Sequence, residues 1–153
     1  MRQYEEVEGF FDKIQLEMGN WAILGSFSLF MRGIKIKPND LDIIADLSVM
    51  KRLEGQLFGS AFNGSPEFEE TENIRSYFFR GNCGTFQVEI FSDIENQINR
   101  KWLNIHLGWQ DNVEWIVWEK FCLPVVRASF ELEVHRKLGY HKKADVYRQA
   151  CMT

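Results

Sequence analysis

Through residues 4–18 the apolar positions Val7, Phe10, Phe11, Ile14 and Met18 recur at helical spacing, while Glu5, Glu6, Glu8, Asp12 and Lys13 fall elsewhere. This pattern predicts an amphipathic first helix that stops at Gly19 and Asn20. The apolar run Trp21 to Leu24 then reads as a buried strand entering a tight turn at Gly25. A short helix from Phe27 to Arg32 follows, and Gly33 to Asn39, with its glycine, proline and asparagine, reads as a loop. In residues 40–46 Leu41, Ile43 and Ala45 alternate with Asp40, Asp42 and Ile44, which predicts a strand in spite of its acids. Ser48 is placed to cap a helix running to Phe58, and residues 59–66 read as a loop.

Ile74 to Arg80 and Thr85 to Phe91 predict an antiparallel hairpin turning through Gly81-Asn82-Cys83-Gly84. Residues 92–112 leave strand, loop and irregular insertion open, since Trp102, Ile105, Leu107 and Trp109 fit any of them. A further strand is predicted from Asn112 to Phe121, then two helices, Ser129 to Leu138 and Lys142 to Ala150, broken at Gly139. Neither a repeat nor a linker interrupts the pattern, so it predicts a single domain, 1–153, of the α+β or α/β class.

A length of 153 residues is long enough to bury a core without metal or disulfide staples. With 45% hydrophobic residues and only 3 prolines, disordered and low-complexity classes are excluded. The 18 Lys and Arg against 22 Asp and Glu leave a formal charge of -4, which disfavours a long nucleic-acid partner. Cys83, Cys122 and Cys151 are odd in number and match no zinc spacing, which fits a reducing cytoplasm. The opening residues have no apolar signal core, and the late apolar stretch Trp115 to Val126 is interrupted by Glu119, Lys120 and Pro124, so neither export nor a membrane partner is expected.

Three features carry candidate chemistry: Gly25-Ser26 after the first strand, Asp40-Leu41-Asp42-Ile43 on the second, and Val88-Glu89-Ile90 on a later one. Side chains on a strand alternate, so Asp40 and Asp42 project from one face while Leu41 and Ile43 pack behind them. Two such carboxylates repel unless a divalent cation lies between them, and hard oxygen donors suit Mg²⁺ or Mn²⁺. Glu89, between apolar residues on a neighbouring strand, could complete the cluster. The glycine of Gly25-Ser26 lets a phosphate approach the backbone.

These features together resemble the nucleotidyltransferase superfamily typified by DNA polymerase beta, and within it the small single-domain and antibiotic-modifying members. The resemblance rests on hydrophobic-Gly-Ser, a gap of thirteen residues from Phe27 to Asn39, Asp-hydrophobic-Asp-hydrophobic, and a third acid in hydrophobic-Glu-hydrophobic. The segments WAILGSFSLFMRGIKIKPNDLDIIAD and LPVVRASFELEVHRKLGYHKKADVYRQA carry it over about half the chain. It implies an α+β nucleotidyltransferase fold, a mixed β-sheet flanked by helices with a C-terminal helical pair. It further implies that Asp40, Asp42 and Glu89 are catalytic residues and metal ligands, with Glu89 also the general base. Gly25, Ser26, Lys142 and Lys143 would bind the nucleotide, although the Gly139-Tyr140-His141-Lys142-Lys143 turn departs from the family's usual lysine pattern.

The activity implied is transfer of a nucleoside monophosphate, AMP from ATP or another NTP, to a hydroxyl of a small molecule or protein, with Mg²⁺ or Mn²⁺ as cofactor. A homodimer could supply the wall that a small transferase lacks. The rival is a regulatory module, such as the antitoxin of a minimal nucleotidyltransferase toxin-antitoxin pair, docking a helical toxin. Asp93 rivals Glu89 but lies beside Ser92, where capping a short helix is expected. Arg32, Lys35 and Lys37 read as a solvated loop, and Trp102, Trp109, Trp115 and Trp118 as packed core. His106, His135 and His141 share no ligand spacing.

Overall fold

A computed structural model describes residues 4–14, 19–57 and 67–152; the loop expected at 59–66 and the last turn expected for the first helix lie outside them. Helix α1, Glu5–Lys13, opens with three acids at its positive end and buries Val7, Phe10 and Phe11. Strand β1, Trp21–Leu24, leads through Gly25 into α2, Ser26–Met31, and then β2, Asp40–Ala45. Helix α3, Leu47–Leu57, follows immediately, so Asp46 stands before it and Ser48 lies inside it and does not cap it. The Asp46 carboxylate instead accepts hydrogen bonds from the side chains of Asn20 and Gln110, at 2.8 and 2.9 Å.

The remaining strands are β3, Glu67–Glu70, β4, Ile74–Cys83, β5, Phe86–Ile98, β6, Lys101–Leu103, β7, Val113–Trp118, and β8, Phe121–Val126. Helices α4, Ala128–Lys137, and α5, His141–Cys151, close the chain with the break at Gly139 that the sequence predicts. The sheet order is β3-β4-β5-β2-β1-β8-β7, with β6 beside β5. Because β2 runs parallel to β5 and β1 parallel to β8 while the other pairs are antiparallel, the sheet is mixed. The expected α+β class with a C-terminal helical pair is thus the one observed.

The two sheet faces differ in kind. Ile23, Leu41, Ile43, Val88 and Ile90 point to one face and join Phe10, Phe11, Met50 and Leu53 in the main core. The opposite face carries Ala22, Ile44 and Val126 under Trp109, and it also bears Asp40 and Asp42. A third apolar cluster, with Leu29, Ala128 and Tyr147, fastens α2 to α4 and α5.

Several local expectations are corrected. The β4–β5 hairpin turns at Gly84-Thr85, not at residues 81–84, because Glu6 of α1 reaches across to accept from the Thr85 amide and hydroxyl, both at 3.2 Å. Strand β5 runs on to Ile98, and the turn Asn99-Arg100, both at positive φ, folds β6 back against it, so the open stretch begins as a hairpin. Asp93 caps no helix: it occupies a β-bulge at φ 54, where Asp93 and Ile94 together face Ser76. The bulge turns Asp93 outward and brings Ile94 to the face that Glu89 and Phe91 occupy.

Phe121 belongs not to the strand predicted before it but to β8, reached through a turn at Glu119-Lys120. Trp109 and Trp118 are core as expected, but Trp102 is half-buried beneath the Arg75 guanidinium at 4.4 Å, and Trp115 is 59% exposed. Arg32 is not a solvated loop residue: it pairs with Glu114 and donates to the Val126 carbonyl.

Since Leu41 is fully buried between the two acids of β2, Leu41→Ala is expected to destabilise the fold by about 2–5 kcal/mol. Urea unfolding would show this as a lower midpoint at unchanged slope.

Candidate active site

The site is assembled at the junction of three neighbouring strands. In register, Leu24 of β1 stands opposite Asp42 of β2, and Asp42 stands opposite Glu89 of β5. The Gly25 turn therefore flanks the acids on one side and Glu89 on the other. One carboxylate oxygen from each of Asp40, Asp42 and Glu89 lies within 4.8 Å of the other two. The sequence-predicted triad is thus brought together by the pairing of β2 with β5, two strands far apart in the chain.

Electrostatics make this arrangement costly. The Asp42 carboxyl is pushed up to about 8, chiefly by burial and then by the charges of Asp40, Glu89 and Glu131. At neutral pH Asp42 accordingly holds its proton, and the neighbouring Glu89 carboxylate helps to keep it there. Glu89 is also raised, by burial, with Arg80 at 3.4 Å opposing the shift. Arg80 sits directly across from Glu89 on β4, its guanidinium 4.7 Å from the Phe78 ring. The other Asp42 oxygen, Oδ1, is buried without a hydrogen-bond partner. Three hard oxygen donors, on residues that include an unpartnered carboxylate oxygen of Asp42, fit a divalent cation such as Mg²⁺ or Mn²⁺.

Gly25 explains why the turn needs glycine. Its φ is +77°, and a Cβ built there would lie 2.8 Å from Asp42 Oδ2. Its amide, however, is already engaged: Gly25 N–H donates to Glu131 Oε1 at 2.8 Å. Glu131, on α4, is a site residue that the sequence reading missed. Its Oε1 also accepts from Tyr147 Oη at 3.0 Å, and its Oε2 lies 3.1 Å from Ser28 Oγ. Burial lifts the Glu131 carboxyl to about 7 against the lowering effect of these donors. The available signal was the spacing Ala128, Glu131, Val134, which sets an acid on the buried stripe of α4.

A cavity of about 880 Å³ opens beside Gly25, Ser26, Asp40 and Asp42 and runs between the sheet face and the helical pair. Phe91, Ile94 and Asn96 line its sheet side. Lys143 lines it from α5, whereas Lys142 borders a shallow surface depression with Tyr140 and His141. Both lysines belong to the first turn of α5, not to the connecting turn. His106, pushed down to about 4 by burial, and His135, also lowered by burial, are uncharged at neutral pH and line the cavity as well. Among the described residues, no helix is long and apolar enough to cross a membrane.

No family model matches the chain, and no curated protein does. Solved structures do. A Thermotoga maritima protein described provisionally as a nucleotidyltransferase superimposes with a TM-score of 0.75 at 24% identity, over 94% of this chain and 88% of that one. The lincosamide antibiotic adenylyltransferase LnuA, bound to lincomycin, gives 0.60 at 13% identity over 97% and 98% of the two chains. The antibiotic-resistance factor ANT(2'')-Ia gives 0.58 at 12% identity over 96% and 81%. These likenesses establish a small nucleotidyltransferase-like fold, with the three carboxylates on its central strands.

The raised Asp42 carboxyl has a measurable consequence. Its folded value of about 8 exceeds the ordinary 3.8, so between those limits the folded chain holds a proton that the unfolded chain has lost. This group's contribution is therefore fully present below pH 4 and declines as pH rises toward 8. Thermal unfolding of the cation-free protein is expected to show Asp42→Asn gaining on wild type across that window, by at most about 1.4 kcal/mol per pH unit. Mn²⁺ must displace the same proton, so its affinity is expected to rise with pH up to 8, approaching about tenfold per unit, as calorimetric titration would show.

Proposed function

We propose that this protein transfers a nucleoside monophosphate, AMP from ATP, to a hydroxyl of a small molecule or protein. The observation that carries the reading is the convergence of Asp40, Asp42 and Glu89 beside a glycine turn at the mouth of a cavity. Asp40, Asp42 and Glu89 would hold a divalent cation, which when bound neutralises phosphate charge and stabilises an in-line displacement at phosphorus.

The chain's own groups divide the remaining work by position. Glu89 lies across β2 from the Gly25 turn, so a nucleotide on the turn side leaves Glu89 facing the acceptor. Its raised affinity for protons suits it to take the proton of the attacking hydroxyl. Since Gly25 N–H is held by Glu131, the Ser26 amide and hydroxyl are the groups left in this turn to meet the β and γ phosphates. Lys143 supplies positive charge from the cavity wall, and Lys142, outside that wall, is not assigned this role.

Roughly 300–1,000 Å³ is usual for a small-molecule site, and at about 880 Å³ this cavity lies toward the upper end, with room for a nucleotide and part of an acceptor. The likeness to an adenylyltransferase seen with lincomycin, and to a resistance factor seen with adenylyl-2''-tobramycin, supports AMP as the group moved and a small hydroxylated molecule as acceptor.

Titration of Mg²⁺-ATP into wild type is expected to show micromolar, metal-dependent binding that disappears in Asp42→Asn. Binding to neither protein would overturn the reading. With labelled ATP and a panel of hydroxylated acceptors, Glu89→Gln is expected to lose about 10²–10⁴-fold in transfer rate.

A further inference from the structure

Glu131 is an acid at a position where packing asks for an apolar side chain. It is 3% exposed, between Ala128 and Val134 on the inner face of α4. Among the described residues it has no lysine or arginine within ion-pair distance, and its oxygens are met by Gly25 N–H, Ser28 Oγ and Tyr147 Oη. Burying a carboxyl with no cation in contact is unfavourable, Arg32 acting on it only from a distance, and an apolar residue of similar size usually serves stability as well or better. Packing therefore does not account for Glu131. Its contacts do: they join the β1–α2 turn, α2 and α5 at one point, and the turn so held is the one packed against Asp42.

We propose that Glu131 is a positioning residue of the site. By taking the Gly25 amide it fixes the turn against Asp42, and through Tyr147 it makes that placement depend on the docking of α4 with α5. The C-terminal helical pair thereby sets where Gly25 and Ser26 stand relative to the carboxylates. Ser28 reinforces the same point, since its hydroxyl lies 2.7 Å from the Gly25 carbonyl and 3.1 Å from Glu131 Oε2, so that Gly25 is held at its amide by Glu131 and at its carbonyl by Ser28. The effect on nucleotide binding rests on the nucleotidyl-transfer reading; the effect on the turn and on a bound cation does not.

Glutamine is the informative conservative variant. Its carbonyl can replace Oε1, which accepts from both Gly25 N–H and Tyr147 Oη. Its amide nitrogen can then donate to Ser28 Oγ, whose own proton goes to the Gly25 carbonyl. Leucine keeps the bulk and removes every acceptor. The experiment combines amide hydrogen exchange read by NMR at Gly25, with Ile23 of β1 as internal reference, and titration of Mn²⁺ alone and of Mg²⁺-ATP into wild type, Glu131→Leu and Glu131→Gln.

Glu131→Leu is expected to speed exchange at Gly25 without changing Ile23 and to weaken Mn²⁺ about tenfold or more, the usual effect of losing a residue that orients metal ligands. Glu131→Gln is expected to restore slow exchange and most of the affinity. Unchanged Gly25 exchange and Mn²⁺ affinity in the leucine variant would overturn the proposal, as would a glutamine variant no better than leucine. Should the leucine variant fail to fold, Tyr147→Phe decides: faster Gly25 exchange supports the proposal and unchanged exchange overturns it. A wild type that binds Mn²⁺ but no Mg²⁺-ATP would remove the transfer reading and leave the positioning role to be judged from Gly25 and Mn²⁺.

Discussion

The repulsion among Asp40, Asp42 and Glu89 is the constraint on which the front of the sheet depends. Three carboxylates within 4.8 Å of one another would swing apart on a loop. Here they cannot, because the residues between them are locked into the core on the far face. Leu41 and Ile43 are fully buried, as are Val88 and Ile90 to either side of Glu89. The apolar half of each strand thus holds the acidic half in place, and the parallel register of β2 with β5 sets Asp42 opposite Glu89. The cluster eases the conflict by raising the Asp42 carboxyl, so that a proton offsets one of the three charges.

The groups around the acids extend the same logic. Arg80, reaching over from β4, offsets part of the charge at Glu89 without entering the cluster. On the other flank Glu131 adds a further carboxyl to an already acidic region, yet it is surrounded by donors and turned toward the backbone of Gly25. Its presence raises Asp42 further. A buried acid that adds to the electrostatic conflict while organising the adjacent turn is more readily understood as part of the site than as part of the core.

The fold resembles adenylyltransferases at identities of only 12 and 13%, so the architecture persists while most side chains differ. Fold alone does not name an acceptor. Beyond the acids, the cavity wall of this chain includes Phe91, Ile94 and Asn96 on its sheet side. The bulge at Asp93 turns a charged residue out and an isoleucine in, and the two histidines that line the space are uncharged at neutral pH.

Local pattern determined a good part of this protein. The strand at residues 40–45 was legible because period-two alternation places Leu41 and Ile43 on one face and the aspartates on the other, whatever the rest of the chain does. Gly25-Ser26, the Gly139 break and the two terminal helices were legible for the same reason, since turn and helix chemistry is local. Strand β8 was obscured by Pro124, which argues against a strand within a sheet, and β3 by its exposed Glu-Phe-Glu-Glu sequence, which lacks an apolar alternation. Only the tertiary structure decided that Arg32 pairs with Glu114, that Lys143 and not Lys142 lines the cavity, and that Glu131 meets Gly25 across 106 positions of chain. Such contacts depend on how helices dock on the sheet, and no periodicity in the chain encodes which distant backbone amide a buried carboxyl will meet.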